Sequence, residues 1–249
     1  MTMSQWLEGR VIENKHWTPA LFSLRVAGPA MPFEAGQFVR IALDIGGERV
    51  ARPFSFVNAP GELPLEFYGI VVPGGPLSPR LAMLQPGDSL YIASNPSGFL
   101  VLSEVPDAES LWLLSTGTGI APFLSILRTG APWHRYGKVI LVHAVRHANE
   151  LVYRELIDGV ARSQGDRFKY VSFVSRESAT GSLAGRIPAA IADGRLEAAA
   201  GCEIAPGRSQ LMLCGNPDMV KDATTTLSAR GLRKHRRRAP GHITAENFW

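Results

Sequence analysis

Leu111-Trp-Leu-Leu-Ser-Thr116 runs directly into Gly117-Thr-Gly-Ile-Ala-Pro122. The first six residues carry no charge and lead into glycine, which reads as a strand buried on both faces. The second six open a helix. Glycines there let backbone approach a ligand, the helix start offers free N–H groups to an anion, and Pro122 suits a first turn. The spacing is G-x-G-x-x-P, not the G-x-G-x-x-G dinucleotide fingerprint. Taken alone it is also what a glycine stop does for steric reasons.

Working outward, Val139-Ile-Leu-Val-His-Ala144, Tyr170-Val-Ser-Phe-Val174 and Gln210-Leu-Met-Leu-Cys214 repeat the apolar theme. Helix-like stretches at 123–127, 150–160, 186–193 and 219–230 separate them. Apolar strands alternating with helices predict an α/β unit, a parallel sheet covered on both faces. Such sheets bind ligands beyond the carboxyl ends of their strands. Arg146, Arg176 and Arg186 all follow those ends, and guanidinium forks suit phosphate. Each arginine taken singly is an ordinary solvated loop charge. Cys214-Gly-Asn-Pro217 ends the last strand, where a thiol either faces the crevice or is a small buried residue before a turn.

Before about residue 104 the chain changes character. Leu21-Phe-Ser-Leu-Arg-Val26, Phe38-Val-Arg-Ile-Ala-Leu43, 50–57, 65–72 and 89–93 read as short strands. Ile45-Gly-Gly-Glu-Arg49 is a hairpin signal. This spacing predicts a small antiparallel barrel, with one helix at 79–84. Leu77-Ser78-Pro79 reads as an N-cap followed by proline, or as a phosphate seat. Arg52 and Phe54 of Arg52-Pro-Phe-Ser55 share one strand face and suit an aromatic phosphate-bearing ligand, though the pattern is common. The domain boundary falls within 102–110.

The chain has 249 residues and 45% hydrophobic content, enough for two cores. Two cysteines exclude a disulfide scaffold and an iron–sulfur cluster held by four thiolates. The six histidines show no metal spacing, and no nucleophile elbow or Walker loop occurs. The start has no basic segment followed by an apolar core, so no signal peptide is expected, and the uncharged run 111–127 is broken by Thr116, Gly117, Gly119 and Pro122. A soluble, cytoplasmic protein is expected, with no membrane contact. Net charge is +4 and the pI about 9.3, which favours an anionic partner. Arg233-Lys-His-Arg-Arg-Arg238 is the densest basic run. It is a solvated face, a docking site for an acidic protein or a nucleic-acid site. No aromatic interleaves it, which weakens the last.

Arg52-Pro-Phe-Ser55, Gly117-Thr-Gly-Ile-Ala-Pro122, Cys214-Gly-Asn-Pro217 and the terminal Phe248-Trp249 occur in this order along the chain. Together they resemble the bacterial ferredoxin/flavodoxin–NADP+ reductases over essentially its whole length. Thr18-Pro-Ala-Leu-Phe-Ser-Leu24, Leu65-Glu-Phe-Tyr68, Leu77-Ser-Pro-Arg-Leu81 and His242-Ile-Thr-Ala-Glu246 are similar to the proteobacterial subclass. The resemblance implies a FAD-binding Greek-key β-barrel at 1–103 and a Rossmann-like NADP-binding α/β domain at 104–249, with the C-terminal tail returning to FAD. It implies that Arg52 and Pro53 lie at the FAD pyrophosphate, Phe54 beside the flavin and Ser55 near its reactive nitrogen. Phe67, Tyr68, Ile70, Pro76, Leu77 and Ser78 would line the ribityl and phosphates, and Thr118 would touch both cofactors. Arg146, Arg176 and Arg186 would hold NADP(H). Cys214, with Gly215 and Asn216, would flank the nicotinamide, while Phe248 and Trp249 would cover flavin and adenine. Ser55, Cys214 and Phe248 are the implied catalytic residues.

Two departures from the family pattern stand out. Phe54 replaces a tyrosine, which keeps stacking and loses a phenolic hydrogen bond. Pro76 replaces a lysine, which removes a phosphate partner. The expected partner is an acidic ferredoxin or flavodoxin, not nucleic acid, and the expected state is monomeric. An NADPH-dependent flavin reductase and an oxygenase reductase component are the alternatives within the superfamily.

Overall fold

The structure, a computed structural model, describes residues 5–247. Strands β1 (Trp6–His16), β2 (Leu21–Ala27), β3 (Phe38–Ile45), β4 (Glu48–Ser55), β5 (Leu65–Ile70) and β6 (Ser89–Ala93) form one antiparallel sheet in the order β4-β3-β6-β1-β2-β5. Phe22, Leu24 and Val26 of β2 alternate inward, as the two-residue period of a strand requires. Burying each such side chain favours folding by about 1.5–3 kcal/mol over leaving it exposed. The sheet curls until Phe56, just past β4, bridges Phe67 of β5, closing a six-stranded barrel. Gly46 and Gly47 have φ of +61° and +84°. That pair of left-handed residues fits a two-residue hairpin between β3 and β4.

The second sheet is parallel throughout. It contains β7 (Ser110–Thr116), β8 (Lys138–Val145), β9 (Phe168–Val174), β10 (Leu183–Ala184), β11 (Ser209–Gly215) and β12 (Ile243–Asn247), ordered β10-β9-β8-β7-β11-β12. Among the described residues seven α-helices accompany the two sheets: α1 (Ser78–Met83), α2 (Ala121–Leu127), α3 (Ala131–Arg135), α4 (Arg154–Gln164), α5 (Ile187–Ala192), α6 (Arg195–Ala200) and α7 (Pro217–Ala229). Alternation along β7 sends Leu111 and Leu113 to a core shared with α2, and Trp112 and Leu114 to one shared with α5 and α7. Leu21, Val57 and Tyr68 of the barrel belong to the first of these cores, so the two sheets meet through apolar packing. Strand order reverses between β7 and β11. The loops after those two strands therefore mark the switch point, where an open α/β sheet leaves a crevice.

The segment joining the sheets is itself packed. Leu100, Val101, Leu102 and Val105 are buried. The Arg135 guanidinium donates to the carbonyls of Leu102 and Val105 and pairs with Asp107. A second tie crosses between the sheets: Trp17 Nε1 donates to Ser23 Oγ (2.7 Å), Ser23 Oγ meets Tyr153 Oη (2.6 Å), and Tyr153 donates to Glu66 (2.8 Å).

Several elements differ from their sequence readings. β1 is the longest strand, yet Glu8, Arg10, Glu13 and Asn14 give it little apolar periodicity. β12, α3 and α6 were likewise not legible: they are short, and packing rather than propensity holds them. Helix α4 starts at Arg154 rather than Glu150, because His147 and Glu150 cap a separate short turn. Ser78 does not cap α1. Leu77 occupies that place with no side-chain cap, and Ser78 Oγ accepts from the Val72 N–H (2.8 Å). The end of α1 is closed instead by Asn14, whose Nδ2 reaches the carbonyls of Leu81, Ala82 and Leu84.

Candidate active site

Two neighbouring cavities open where the barrel meets the switch point. The first, about 670 Å³, is walled by β4, β5 and the start of α1. Arg52, Pro53, Phe54 and Ser55 form one side. Tyr68, Ile70, Pro76, Leu77 and Ser78 form the other, and Thr118 closes the floor. Phe67 is not on this wall: strand alternation turns it into the barrel core, where it packs against Phe56. Gly69 is needed on β5 because a side chain there would press on Phe22 and Phe54, 2.8 and 3.0 Å from its added carbon.

This cavity holds polar groups that the protein leaves unsatisfied. Ser55 Oγ and Tyr68 Oη are buried with no hydrogen-bond partner among the described residues. Burial also pushes the Tyr68 phenol well above its ordinary range, so it remains a donor. Among the described residues the Arg52 guanidinium reaches only its neighbour's carbonyl, Ala51 O at 2.8 Å. Buried donors and an unpaired cation along an apolar wall fit an aromatic ligand that carries phosphate.

The floor is built from two interlocked loops. Thr116 Oγ1 accepts the Asn216 N–H at 2.8 Å. A carbon added to Gly119 would lie 2.5 Å from the Cys214 carbonyl oxygen, and one on Gly215, whose φ is +133°, would strike Thr116. From beneath, His143 of β8 meets the Gly117 carbonyl at 3.0 Å. Gly119 of the G-x-G-x-x-P stretch therefore serves a close approach between backbones, whereas Gly117 has open space around it and turns the chain at φ +52°.

The second cavity, about 370 Å³, shares Tyr68, Ile70 and Thr118 with the first. Arg146, Arg176 and Arg186 line it from the ends of β8, β9 and β10, as their spacing predicts. All three are exposed, and none lies in an ion pair among the described residues. Asn216 joins them, capping α7 through Oδ1. Gly215 lines neither cavity and serves the loop contact above.

Cys214 is fully buried and also lines neither wall. Desolvation, helped by nearby Glu246, pushes its thiol well above the ordinary range, so it is not a thiolate. Glu246 was not singled out from sequence. It pairs in register with Cys214 on β12, and burial raises its carboxyl to about 7. Only the strand pairing reveals it, since Glu246 and Cys214 are far apart in the chain. Gly75 and Asn247 of the first cavity and Asp218 and Asp222 of the second were missed too: Gly75 is in a loop, Asn247 ends β12, and the two aspartates lie on α7. Phe248 and Trp249 lie outside the described residues.

The sequence model of a family described as the oxidoreductase NAD-binding domain matches residues 113–225. A flavodoxin/ferredoxin–NADP reductase of Shigella flexneri is 49% identical over 248 residues, covering 99% of this chain and 100% of that protein. A ferredoxin–NADP reductase of Pseudomonas aeruginosa is 37% identical over 240 residues, 93% of this chain and 92% of that protein. The crystal structure of a ferredoxin NADP+ reductase from Neisseria gonorrhoeae with bound FAD and NADP matches with a TM-score of 0.94 at 33% identity. It covers 99% of this chain and 100% of that one.

Proposed function

The chain belongs to the flavodoxin/ferredoxin–NADP reductase family, and on that premise we propose that it moves electrons between NADP(H) and a ferredoxin or flavodoxin through FAD. One observation carries the reading: two cavities of different chemistry share Tyr68, Ile70 and Thr118 as a common wall. Two ligands seated there would touch across that wall.

Arg52, Pro53, Phe54, Ser55, Tyr68, Ile70 and the Pro76–Ser78 turn would hold FAD. Phe67 supports them from inside the barrel. Bound there, FAD supplies the exchange between a hydride partner and single-electron partners. Arg146, Arg176, Arg186 and Asn216 would hold NADP(H), the guanidinium groups taking its phosphates. The protein's work is then alignment and water exclusion, which suits a site with no hydroxyl nucleophile–base pair. Cys214 and Gly215 fix the floor from below. Ser55 offers an unspent hydroxyl, and Glu246 keeps a proton close to Cys214 up to near-neutral pH. Phe248 and Trp249 complete the cover in this reading, and their removal should alter NADPH affinity.

Residues 1–103 act as the FAD unit and 104–249 as the NADP unit. The acidic partner docks on basic loops, among them the exposed turn of Arg236, Arg237 and Arg238. Arg237 in that turn stacks over the exposed ring of Phe99, 4.6 Å from its centre. No helix of the described residues is long and apolar enough to cross a membrane. We place the protein in the cytoplasm as a monomer that binds no nucleic acid.

The test is direct. Purified protein is incubated with FAD, desalted and assayed for NADPH oxidation coupled to ferredoxin or flavodoxin. A yellow protein that prefers NADPH over NADH is expected. Colourless protein, or activity with NADH alone, would reject the proposal.

A further inference from the structure

His143 sits at the centre of the parallel sheet, fully buried, with Ser115 and Ser172 beside it in register on β7 and β9. A histidine there is expensive. The residues two places away on the same face of β8, Leu141 and Val145, are buried and apolar, so the polar ring stands in apolar surroundings along its strand. Its ring makes one hydrogen bond, from Nε2 to the Gly117 carbonyl (3.0 Å), and Nδ1 has no partner among the described residues. A carbonyl oxygen only accepts, so the proton sits on Nε2 and Nδ1 carries a buried lone pair. Leaving such an acceptor unpaired costs about 1–3 kcal/mol. The imidazole is retained against that cost at the residue opening the loop that carries Thr118.

Other contacts hold this loop further along. Thr116 holds Asn216 and Gly119 abuts Cys214, which binds it to its partner after β11. Ile120 is fully buried in the core shared with α2. Gly117, at φ +52°, is the point where the chain turns out of β7, and His143 is the side chain that grips it there. Burial lowers the imidazole to about 4, so the ring stays neutral and its tautomer does not change near pH 7.

We propose that His143 is a positioning residue for the proposed reaction. Its Nε2–H holds the Gly117 carbonyl and so sets where Thr118 stands between the two cavities. The inference rests on the functional reading above, and names a residue outside both cavity walls. Hydride transfer depends on contact geometry, and a displacement of about 1 Å can cost about 100-fold in rate. The arginines that would seat NADP(H) stand on other loops, so binding should be spared while turnover falls.

The experiment compares the FAD-loaded protein with His143→Gln, which offers an N–H at the same reach, and His143→Leu, which fills the space without one. FAD content, thermal midpoint, and kcat and KM for NADPH with ferricyanide as acceptor are measured. His143→Leu should lose about 10- to 100-fold in kcat, with KM nearly unchanged, and His143→Gln should recover most of the loss. Parent-like kcat in His143→Leu, or equal impairment in both variants, would overturn the proposal. Should His143→Leu fail to fold or to hold FAD, the histidine 15N spectrum of the unmodified protein decides. A neutral Nε2–H tautomer at pH 7 with a protected proton supports the role, and an Nδ1–H tautomer or a cation overturns it. Unmodified protein that takes up no FAD would sink the functional reading instead, and the spectrum would still judge His143.

Discussion

The loop that carries Thr118 and the loops that carry the three arginines stand at the same edge of one sheet, yet they are built in opposite ways. Thr118 and Gly119 are buried, pressed against Cys214 and tied to Asn216 and His143. Arg146, Arg176 and Arg186 are exposed. The backbones of Arg146 and Arg176 are held, since the Arg146 N–H meets Glu150 and the Arg176 N–H meets the Arg146 carbonyl, but none of the three guanidinium groups is paired among the described residues. The difference fits what each loop would do in the proposed reaction. Stacked rings react only within a narrow range of positions, which demands packing. A phosphate is drawn in over several ångströms by charge, so a long side chain can finish the contact after binding.

The sharpest way to break this contrast is to disturb the packed loop. Gly119→Ala should be the most damaging single change, because the new methyl would lie 2.5 Å from the Cys214 carbonyl oxygen, which cannot move aside. Overpacking of this kind costs about 1–3 kcal/mol, and turnover should fall about 100-fold. Thermal midpoint and NADPH turnover read the two effects, and a parent-like variant would show that the loops are not locked together. Changing the free loop should behave differently. Arg186→Gln should remove a charged contact of about 1.5–3 kcal/mol, raising KM for NADPH about 10- to 100-fold. Activity with NADH and kcat should hardly change. A fall in kcat at constant KM would place Arg186 with the packed group instead.

The same contrast explains what could be read without a structure. The apolar strands of the second sheet, the glycine stop at Gly117 and the arginines after each strand are local signals, and each falls where its pattern predicts. The barrel's Gly46-Gly47 hairpin is local too. β1 was hidden because its buried positions are few, only Gly9 and Val11. Ser78 looked like a cap, since sequence cannot show that the Val72 N–H needs its hydroxyl. Phe67 and Tyr68 are adjacent in the chain, and only the barrel's closure tells which of them faces the cavity. Glu246 and His143 were invisible for one reason: each acts on a residue brought to it by strand pairing or a loop contact. Local chemistry is legible, and chemistry assembled by topology is not.

Glu246 offers a smaller and more selective test. Its carboxyl is raised from the ordinary 4.5 to about 7 by burial. The folded protein therefore binds more protons at this group than the unfolded chain between those values. Its stabilising contribution is complete below about pH 4.5, declines as pH rises and is gone above about 7. Glu246→Gln should flatten that part of the stability curve, seen as thermal midpoint against pH. Any step in NADPH turnover near pH 7 that belongs to this carboxyl should vanish with it. His143 runs the other way: lowered to about 4, it withdraws stability only as pH falls below its ordinary 6.5. A Glu246→Gln curve parallel to the parent's between pH 5 and 7 would show the group to be ionised throughout.

The smallest effect belongs to charge with no packing at all. Arg236 and Arg238 sit on the exposed turn closed by the paired bonds of Arg236 and Ala239, and neither lies in an ion pair among the described residues, whereas Arg237 is held by Glu104. Free charges on a rim act on encounter rather than on the bound complex, and they are screened over about 8–10 Å at ordinary ionic strength. The double change Arg236→Gln with Arg238→Gln should slow reduction of an acidic ferredoxin or flavodoxin at low salt by a few-fold, and the deficit should close as salt rises. NADPH oxidation by ferricyanide, which requires no docking, should be unaltered. If the protein-coupled rate fell equally at all salt concentrations, the turn would be a packed contact of the complex, and the division between free and fixed loops would have to be redrawn around it.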